Sequence, residues 1–430
     1  MASGYRQRVN SGSLLVAVLF AYAVLPAAAQ NILAGRTVSV WTNVETEQSP
    51  LAASLTSGLQ WGVIGIVALL AIRSLPMVRL GLWFWVFVAP WAVISLATLA
   101  VEHRFSYTSI LYPLIGLVAG TLKEPRTALR TIGILTALLA GFSIVLGTVM
   151  PESGMFPINA DNEKSFIGDQ LLVGPLTHPN TLGETLAMGF PFISLIRGRP
   201  ARFVGYGVTL FALFWCGSRT AMLAVGLGIV VALCWMLIRT YGTRAYFSPL
   251  VQFTIYSGVV VVGPVLVSSG LDDAYSFSGR GEIWAGSLEQ WAEHPWIGNG
   301  AQVYSDLAKV ANQVGIGAFH GHNMYVNALT TSGILGAAVL TILYGVLLMR
   351  SWKLGPYAIG LAVWGIVFIA DGWLEVPSDL FTLGTLTWVV WVPLAVMLSG
   401  SLMPRREEHA LPATVQLDRD ALPSHSPIAL

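Results

Sequence analysis

Long apolar runs recur from one end of this 430-residue chain to the other. Each is about 18 to 22 residues, enough to cross a hydrocarbon core of ~30 Å as a helix. In lipid every backbone N–H and C=O must be satisfied within the chain's own structure, so each run is read as a helix. About twelve spans are expected, at 13–33, 57–74, 80–100, 105–122, 127–150, 181–197, 202–217, 220–239, 249–269, 323–349, 355–372 and 380–402. The chain is 55% hydrophobic and 10% charged, whereas soluble domains carry roughly 25% charged residues. The expected fold is an all-α polytopic integral membrane protein, one transmembrane helical domain over residues 1–402 with one large extracytoplasmic loop. The polar residues 403–430 read as a disordered cytoplasmic tail. Cys216 and Cys234 both fall in apolar segments and read as small buried hydrophobes. No nucleic-acid partner is expected.

Orientation follows from the basic residues. With the N-terminus in the cytoplasm, 17 of the 23 Lys and Arg fall on inner segments, leaving outside only Arg36, Arg104, Lys164, Arg219, Arg280 and Lys309. That bias is the positive-inside rule, and it fits an even number of spans with both termini inside. The first residues, "MASGYRQRVNSGSLLVAVLFAYAVLPAAAQ", also carry the basic start, apolar centre and Ala-rich end of a cleavable signal peptide. Removal of residues 1–29 would leave the orientation of every later span unchanged.

Three outer segments can hold chemistry. The loop 151–180 leads into "GDQLLVGPLTHPNTLGE"; a tight corner reads "WCGSRTA"; and the longest connection, 270–322, contains "SFSGRGEIWAGSLEQWAEHPWIGNG" before "HGHN". Within it, Glu282 to Glu293 fits a short amphipathic helix turning Ile283, Trp284, Leu288 and Trp291 toward lipid or protein, ended by the Pro and Gly of "HPWIGNG". The outer face is otherwise acidic, so an arginine there needs a reason. Arg219 is confined to the corner between two helices, and Arg280 lies between Gly279 and Gly281, where backbone can approach a ligand closely. A guanidinium matches phosphate oxygens in a bidentate fork; the plainer alternative is a surface ion pair. His178 precedes a helix expected to be capped by Asn180 or Thr181, and its plain role is to hold its loop. Asn323 opens a span and can simply cap it. An imidazole at a helix start meets the positive end of the dipole, which disfavours its charged form; His322 is then able to accept a proton, as a general base must. "HGH" lacks the i, i+4 spacing of helical zinc ligands, and no Cys or Glu joins it at useful spacing, so neither a metal nor any other cofactor is expected.

These motifs, in this order, resemble the O-antigen ligase and O-antigen polymerase superfamily of bacterial envelope glycan enzymes. The likeness rests on the span number, "GPLTHPNTLG" entering a helix, "GSRTA" between helices, and the outer loop with "GRGEIW", "HPWIGNG" and "HGHNMYVNALTTSGILG". It covers roughly residues 170 to 345 well and the earlier spans in hydropathy alone. The resemblance implies a metal-independent, inverting glycosyltransferase of the bacterial cytoplasmic (inner) membrane with an extracytoplasmic active site. Its donor would be a glycan on polyprenyl pyrophosphate (undecaprenyl pyrophosphate in bacterial envelopes), its acceptor a hydroxyl on lipid, glycan or protein, and membrane lipids would surround it. By the same carry-over Arg280 and Arg219 would hold the pyrophosphate and His322 would serve the acceptor hydroxyl. His178, Asn180, Asn323, His320 and Trp284 would bind or position substrate. His320 is an extra imidazole, so the resemblance leaves open which histidine is the base. A polymerase of lipid-linked repeat units is the nearest alternative. A flippase or other transporter would need charges and broken helices near the midplane, and the spans show neither. A Ser218 hydrolase would need the strand-to-helix elbow that "GSRT" lacks.

Overall fold

The computed structural model describes residues 10–33, 49–77, 80–157, 165–241, 249–271, 276–305, 320–354, 358–378 and 380–402. The expected tail at 403–430 lies outside them. The helices are α1 (Ser11–Leu33), α2 (Pro50–Ser74), α3 (Leu82–Val101), α4 (Leu111–Gly120), α5 (Pro125–Val149), the single turn α6 (Pro151–Gly154), α7 (Pro179–Gly189), α8 (Arg199–Trp215), α9 (Arg219–Tyr241), α10 (Pro249–Leu271), α11 (Ser276–Glu293), α12 (Met324–Leu354), α13 (Ile359–Asp371) and α14 (Thr387–Ser399). Each expected span coincides with a helix. Among the described residues six are long and apolar enough to cross a membrane: α1, α2, α3, α5, the Arg219–Leu237 part of α9, and α12. Four apolar helices are shorter, including Ile359–Asp371 and Thr387–Ser399.

A helix apolar all round belongs in an interior, and α14 is such a helix. Every residue from Thr387 to Leu398 is buried, with α1, α3 and α4 packed around it. The polar edges of the large core rings find backbone acceptors: Tyr112 Oη donates to the Phe87 carbonyl at 3.0 Å and Trp364 Nε1 to the Val389 carbonyl at 3.0 Å. Cys216 is buried, as expected, but Cys234 is exposed on α9, a position that puts it toward lipid rather than in the core.

Two expectations need correction. The spans are not unbroken: α12 leaves helical geometry at Gly333, φ 64° and ψ −162°, a region open only to glycine. The break separates Ile334 and Leu335 from the carbonyls of Thr330 and Thr331, their i−4 partners. The segment 295–300 replaces both bonds. Ile334 N donates to Pro295 O (2.9 Å) and Leu335 N to Trp296 O (3.2 Å), while Thr330 O and Thr331 O accept from Asn299 N (2.9 Å) and Gly300 N (3.0 Å). Irregular backbone at such a depth is tolerated where protein satisfies it, and "HPWIGNG" does more than end α11. Nor are the helices free of buried acid: Glu184 is 6% exposed and Asp371 is 0% exposed.

The expected 270–322 connection contains the 18-residue helix α11. Its Ile283 and Trp284 are buried, so this face turns to protein. The 151–180 loop forms a small antiparallel hairpin, β1 (Met155–Pro157) with β2 (Gln170–Leu172).

Candidate active site

The starts of α7, α9 and α12 and the end of α13 meet on one face, and Glu375 sits among them. Its position follows from the chain leaving α13. The Glu375 N–H donates to Asp371 O at 2.9 Å, continuing the helix by one turn. Two bonds then fix this turn to the start of α12: Met324 N to Gly372 O at 2.9 Å, and Asn323 Nδ2 to Trp373 O at 2.7 Å. Asn323 is fully buried, and its Oδ1 accepts from Tyr325 N (2.8 Å) and Val326 N (3.2 Å). The geometry is that of an N-cap which also clamps two helices.

Glu375 accepts three donors from three distant parts of the chain. Arg280 Nη2 and Asn180 Nδ2 (3.1 Å) reach Oε1, and His322 Nδ1 lies 2.9 Å from Oε2. The carboxylate is 1% exposed, against 15% for the Arg280 and 19% for the His322 side chains. Burial by itself would raise its pKa; the Arg280 guanidinium and then His322 outweigh that and hold it at about 2. It is therefore a fixed negative charge. Arg280 is aimed by Gly279, whose φ of +85° no L side chain adopts readily. His322 is itself at φ +44°, an uncommon conformation for a residue with a Cβ. It is secured on two sides, by Glu375 and by its own N–H donating to His320 Nδ1 at 3.1 Å.

These bonds assign the two imidazoles different roles. Nδ1 of His322 faces an ionised carboxylate and so carries the hydrogen, which leaves Nε2 with a lone pair. Nδ1 of His320 accepts a backbone N–H, so the hydrogen of its neutral form is on Nε2. Burial, then the neighbouring His322, pushes the His320 pKa down to about 3. His320 is a neutral donor and His322 an acceptor.

The remaining expected residues are placed as follows. His178, rather than Asn180 or Thr181, caps α7: its Nδ1 accepts from Asn180 N at 3.1 Å. Pro179 at the first helical position has no N–H to satisfy, which moves the cap one residue earlier. Phe156 of β1 packs edge-on against this imidazole, centroids 5.4 Å apart. Arg219 is the first residue of α9. Its neighbour Ser218 is buried against Gly183 of α7, where an added Cβ would come within 2.4 Å of the serine Cβ, so the "GSRT" corner adjoins the helix that presents Asn180. Trp284 is fully enclosed, packed with Val267 and Val326 and flanked by Leu374; it lies behind the turn that carries Glu375.

Glu375 was read only as one of many outer acids, and it is the residue that organises the site. The signal available was its place in "DGWLEVPSD", a short connection between two apolar spans that must hold it at the membrane face. Asp371, one turn earlier, has no hydrogen-bond partner on either carboxylate oxygen among the described residues. His320, His322 and Glu375 also present donor atoms within 4.8 Å of one another, enough for a metal ion. Two of the donors are already engaged with each other, and the Arg280 charge on the same carboxylate opposes a divalent cation.

The family model for O-antigen ligase matches residues 204–341, which include Arg219, Arg280, Trp284, His320, His322 and Asn323 and stop short of Glu375. An O-antigen ligase of Pseudomonas aeruginosa is 26% identical over 184 residues, covering 42% of this chain and 43% of the relative. The exopolysaccharide production protein ExoQ of Rhizobium meliloti is 24% identical over 234 residues, 50% of this chain and 54% of the relative. The chain thus spans about half the length of the curated relatives it matches. Over residues 204–341, within a helical membrane protein, the chain carries the domain of the O-antigen ligase family.

Proposed function

We propose that this protein is a metal-independent, inverting glycosyltransferase of the bacterial inner membrane. It moves a glycan from a polyprenyl-pyrophosphate carrier to an acceptor hydroxyl on the outer face, from a bundle of about twelve spans with both termini in the cytoplasm. The observation that carries the reading is the convergence of Arg280 and His322 on the buried carboxylate of Glu375. One guanidinium N–H is used there, and the others, of five in all, are available to pyrophosphate oxygens. Arg219, at the adjoining corner, adds the second positive charge. The acceptor O–H gives its proton to His322 Nε2 as its oxygen attacks the anomeric carbon. The bond from that carbon to the phosphate oxygen breaks on the opposite face, and the pyrophosphate leaves with its charge offset by the arginines. Glu375 holds the imidazole in the productive tautomer and stabilises the imidazolium, the part a carboxylate plays beside a catalytic histidine elsewhere. His178 and Asn180 position the start of α7, and Asn323 holds α12 against the Glu375 turn.

A polymerase of lipid-linked repeat units is the second reading, favoured by the similarity to an exopolysaccharide production protein. Transport is less well supported: the break in α12 is sealed by residues 295–300 rather than left open to a ligand.

The test is release of free polyprenyl pyrophosphate from a lipid-linked oligosaccharide by the purified protein in liposomes with an acceptor mixture. Wild type is expected to release it, and His322→Ala and Arg280→Ala, still monodisperse, to lose at least ~10²-fold. Equal inertness of all three with several donors would overturn the reading.

A further inference from the structure

Beyond His320 the protein contains a cavity of about 160 Å³ between α3 and α12. Its upper end is polar, lined by His320, Asn327 and Ser378, and its lower end is apolar, lined by Pro90, Ile94 and Leu340. Neither Arg280 nor Glu375 lines it, so it lies on the histidine side of the site, away from the arginine. Ser378 is 4% exposed and its hydroxyl has no hydrogen-bond partner among the described residues. A buried polar atom without a partner costs free energy that a ligand can recover.

The depth of the cavity is informative. The outer end of α3 is marked by Glu102, whose Oε1 accepts from Gln302 N at 2.7 Å. Ile94 and Pro90 are eight and twelve residues below it, ~12 and ~18 Å along a helix rising 1.5 Å per residue. That is about half of a ~30 Å hydrocarbon core. A water-borne sugar has no use for an apolar slot at such a depth; an acyl or isoprenoid chain does.

From this arrangement we infer that the cavity is the seat of the acceptor, and that the acceptor is a glycolipid: its sugar end meets His320, Asn327 and Ser378, and its chain lies between α3 and α12. His320 presents Nε2–H to it, orienting the sugar while His322 takes the proton. The inference rests on the transferase reading and adds to it the acceptor's class and place. It also separates the substrates across the two histidines, donor on the arginine side and acceptor opposite, as an inverting displacement requires.

The test compares a glycolipid acceptor with the same oligosaccharide cleaved from its lipid. Wild type should use the glycolipid with a KM at least tenfold lower. Ala328→Phe, which fills the cavity from α12, should raise the glycolipid KM at least tenfold and leave the donor KM unchanged. Should that protein not be monodisperse, Ile94→Trp fills the cavity from the opposite wall with the same expected result. Ser378→Ala removes a hydroxyl with no partner in the unliganded site; it should keep thermal stability and raise the glycolipid KM about fivefold, the worth of one hydrogen bond. Leu138→Phe, on the exposed surface of α5, is the control and should move neither KM. Equal use of the cleaved oligosaccharide, or a rise in donor KM in the filled variants, would overturn the inference. Equilibrium binding of the glycolipid without donor reads the cavity apart from catalysis. Binding weakened by Ala328→Phe supports the inference even if no transfer is found, and binding unaffected by it refutes the inference even if transfer proceeds.

Discussion

Replacing Glu375 by Gln is the sharpest perturbation of the site, because the two side chains differ little in shape and the environment fixes what the change does. Three donors converge on the two carboxylate oxygens, and the side chain is 1% exposed, so water cannot stand in. An amide offers one oxygen and one NH2. If its oxygen faces His322, the NH2 faces Arg280 and Asn180, and a guanidinium is left without its counter-charge. Removing one partner of such a buried pair costs ~3–5 kcal/mol of stability. If the NH2 faces His322 instead, the imidazole must accept at Nδ1, its hydrogen moves to Nε2, and the base is lost. The wrong tautomer behind a comparable carboxylate-to-amide change costs ~10⁴ in rate. Glu375→Gln should therefore release polyprenyl pyrophosphate at least ~10³-fold more slowly and melt earlier in detergent. Glu375→Asp, with its charge kept and its reach shortened, should fall between. Adding Arg280→Gln should restore part of the stability, since no charge is then left unpaired, but none of the activity. A Glu375→Gln protein that transfers within about threefold of wild type and melts normally would refute the assignment of Glu375 as the group that orients His322.

Asn323→Ala removes a cap worth ~1 kcal/mol and leaves the Trp373 carbonyl short of a donor in a buried setting. A stability loss of ~2 kcal/mol or more is expected in denaturant titration, with transfer reduced because His322 and Glu375 lose their alignment; an unchanged midpoint would remove the clamp from the account. Gly333→Ala places a Cβ 2.4 Å from the Trp296 carbonyl carbon at φ +64°; it should cost at least ~2 kcal/mol and expose the segment after Glu293 to protease, whereas normal melting would mean that the break is dispensable. His320 has its folded pKa lowered to about 3 from 6.5, so between those values the unfolded chain binds the extra proton and stability falls as pH falls. His320→Gln should flatten the decline of melting temperature with acid from pH 6.5 to 4.5, by up to ~1.4 kcal/mol per pH unit; parallel curves for the two proteins would contradict it.

Much of this architecture is legible in the sequence for one physical reason: lipid demands long apolar helices and punishes stray charge. The spans, the outward arginines and the cap at Asn323 all follow from that demand. What escaped reading depends on distance along the chain. Glu375 is 95 residues from Arg280 and 195 from Asn180, and before folding it is one acid among many on its face. The break at Gly333 was hidden because glycine is common in membrane helices, and the compensating bonds come from backbone, which carries no side-chain signature. The cap of α7 was misplaced by two residues at most, because Pro179 removes the N–H that a later cap would have served. The distinction between His320 and His322 is a matter of tautomers, and no spacing rule encodes which nitrogen meets which partner.

The exchange of hydrogen bonds between residues 295–300 and the break in α12 has a consequence for biogenesis. The segment leaves the ribosome about thirty residues before the carbonyls it will cap, so its N–H groups have no partners until the next helix has been laid into the membrane. Glu375 is made later still, after α13. Arg280 and His322 thus reach the outer surface early and remain without their shared anchor until almost the whole bundle has been inserted. The enzyme becomes competent late in its own synthesis, and a chain arrested before Glu375 would have both groups on the outer surface and no means of holding them in register.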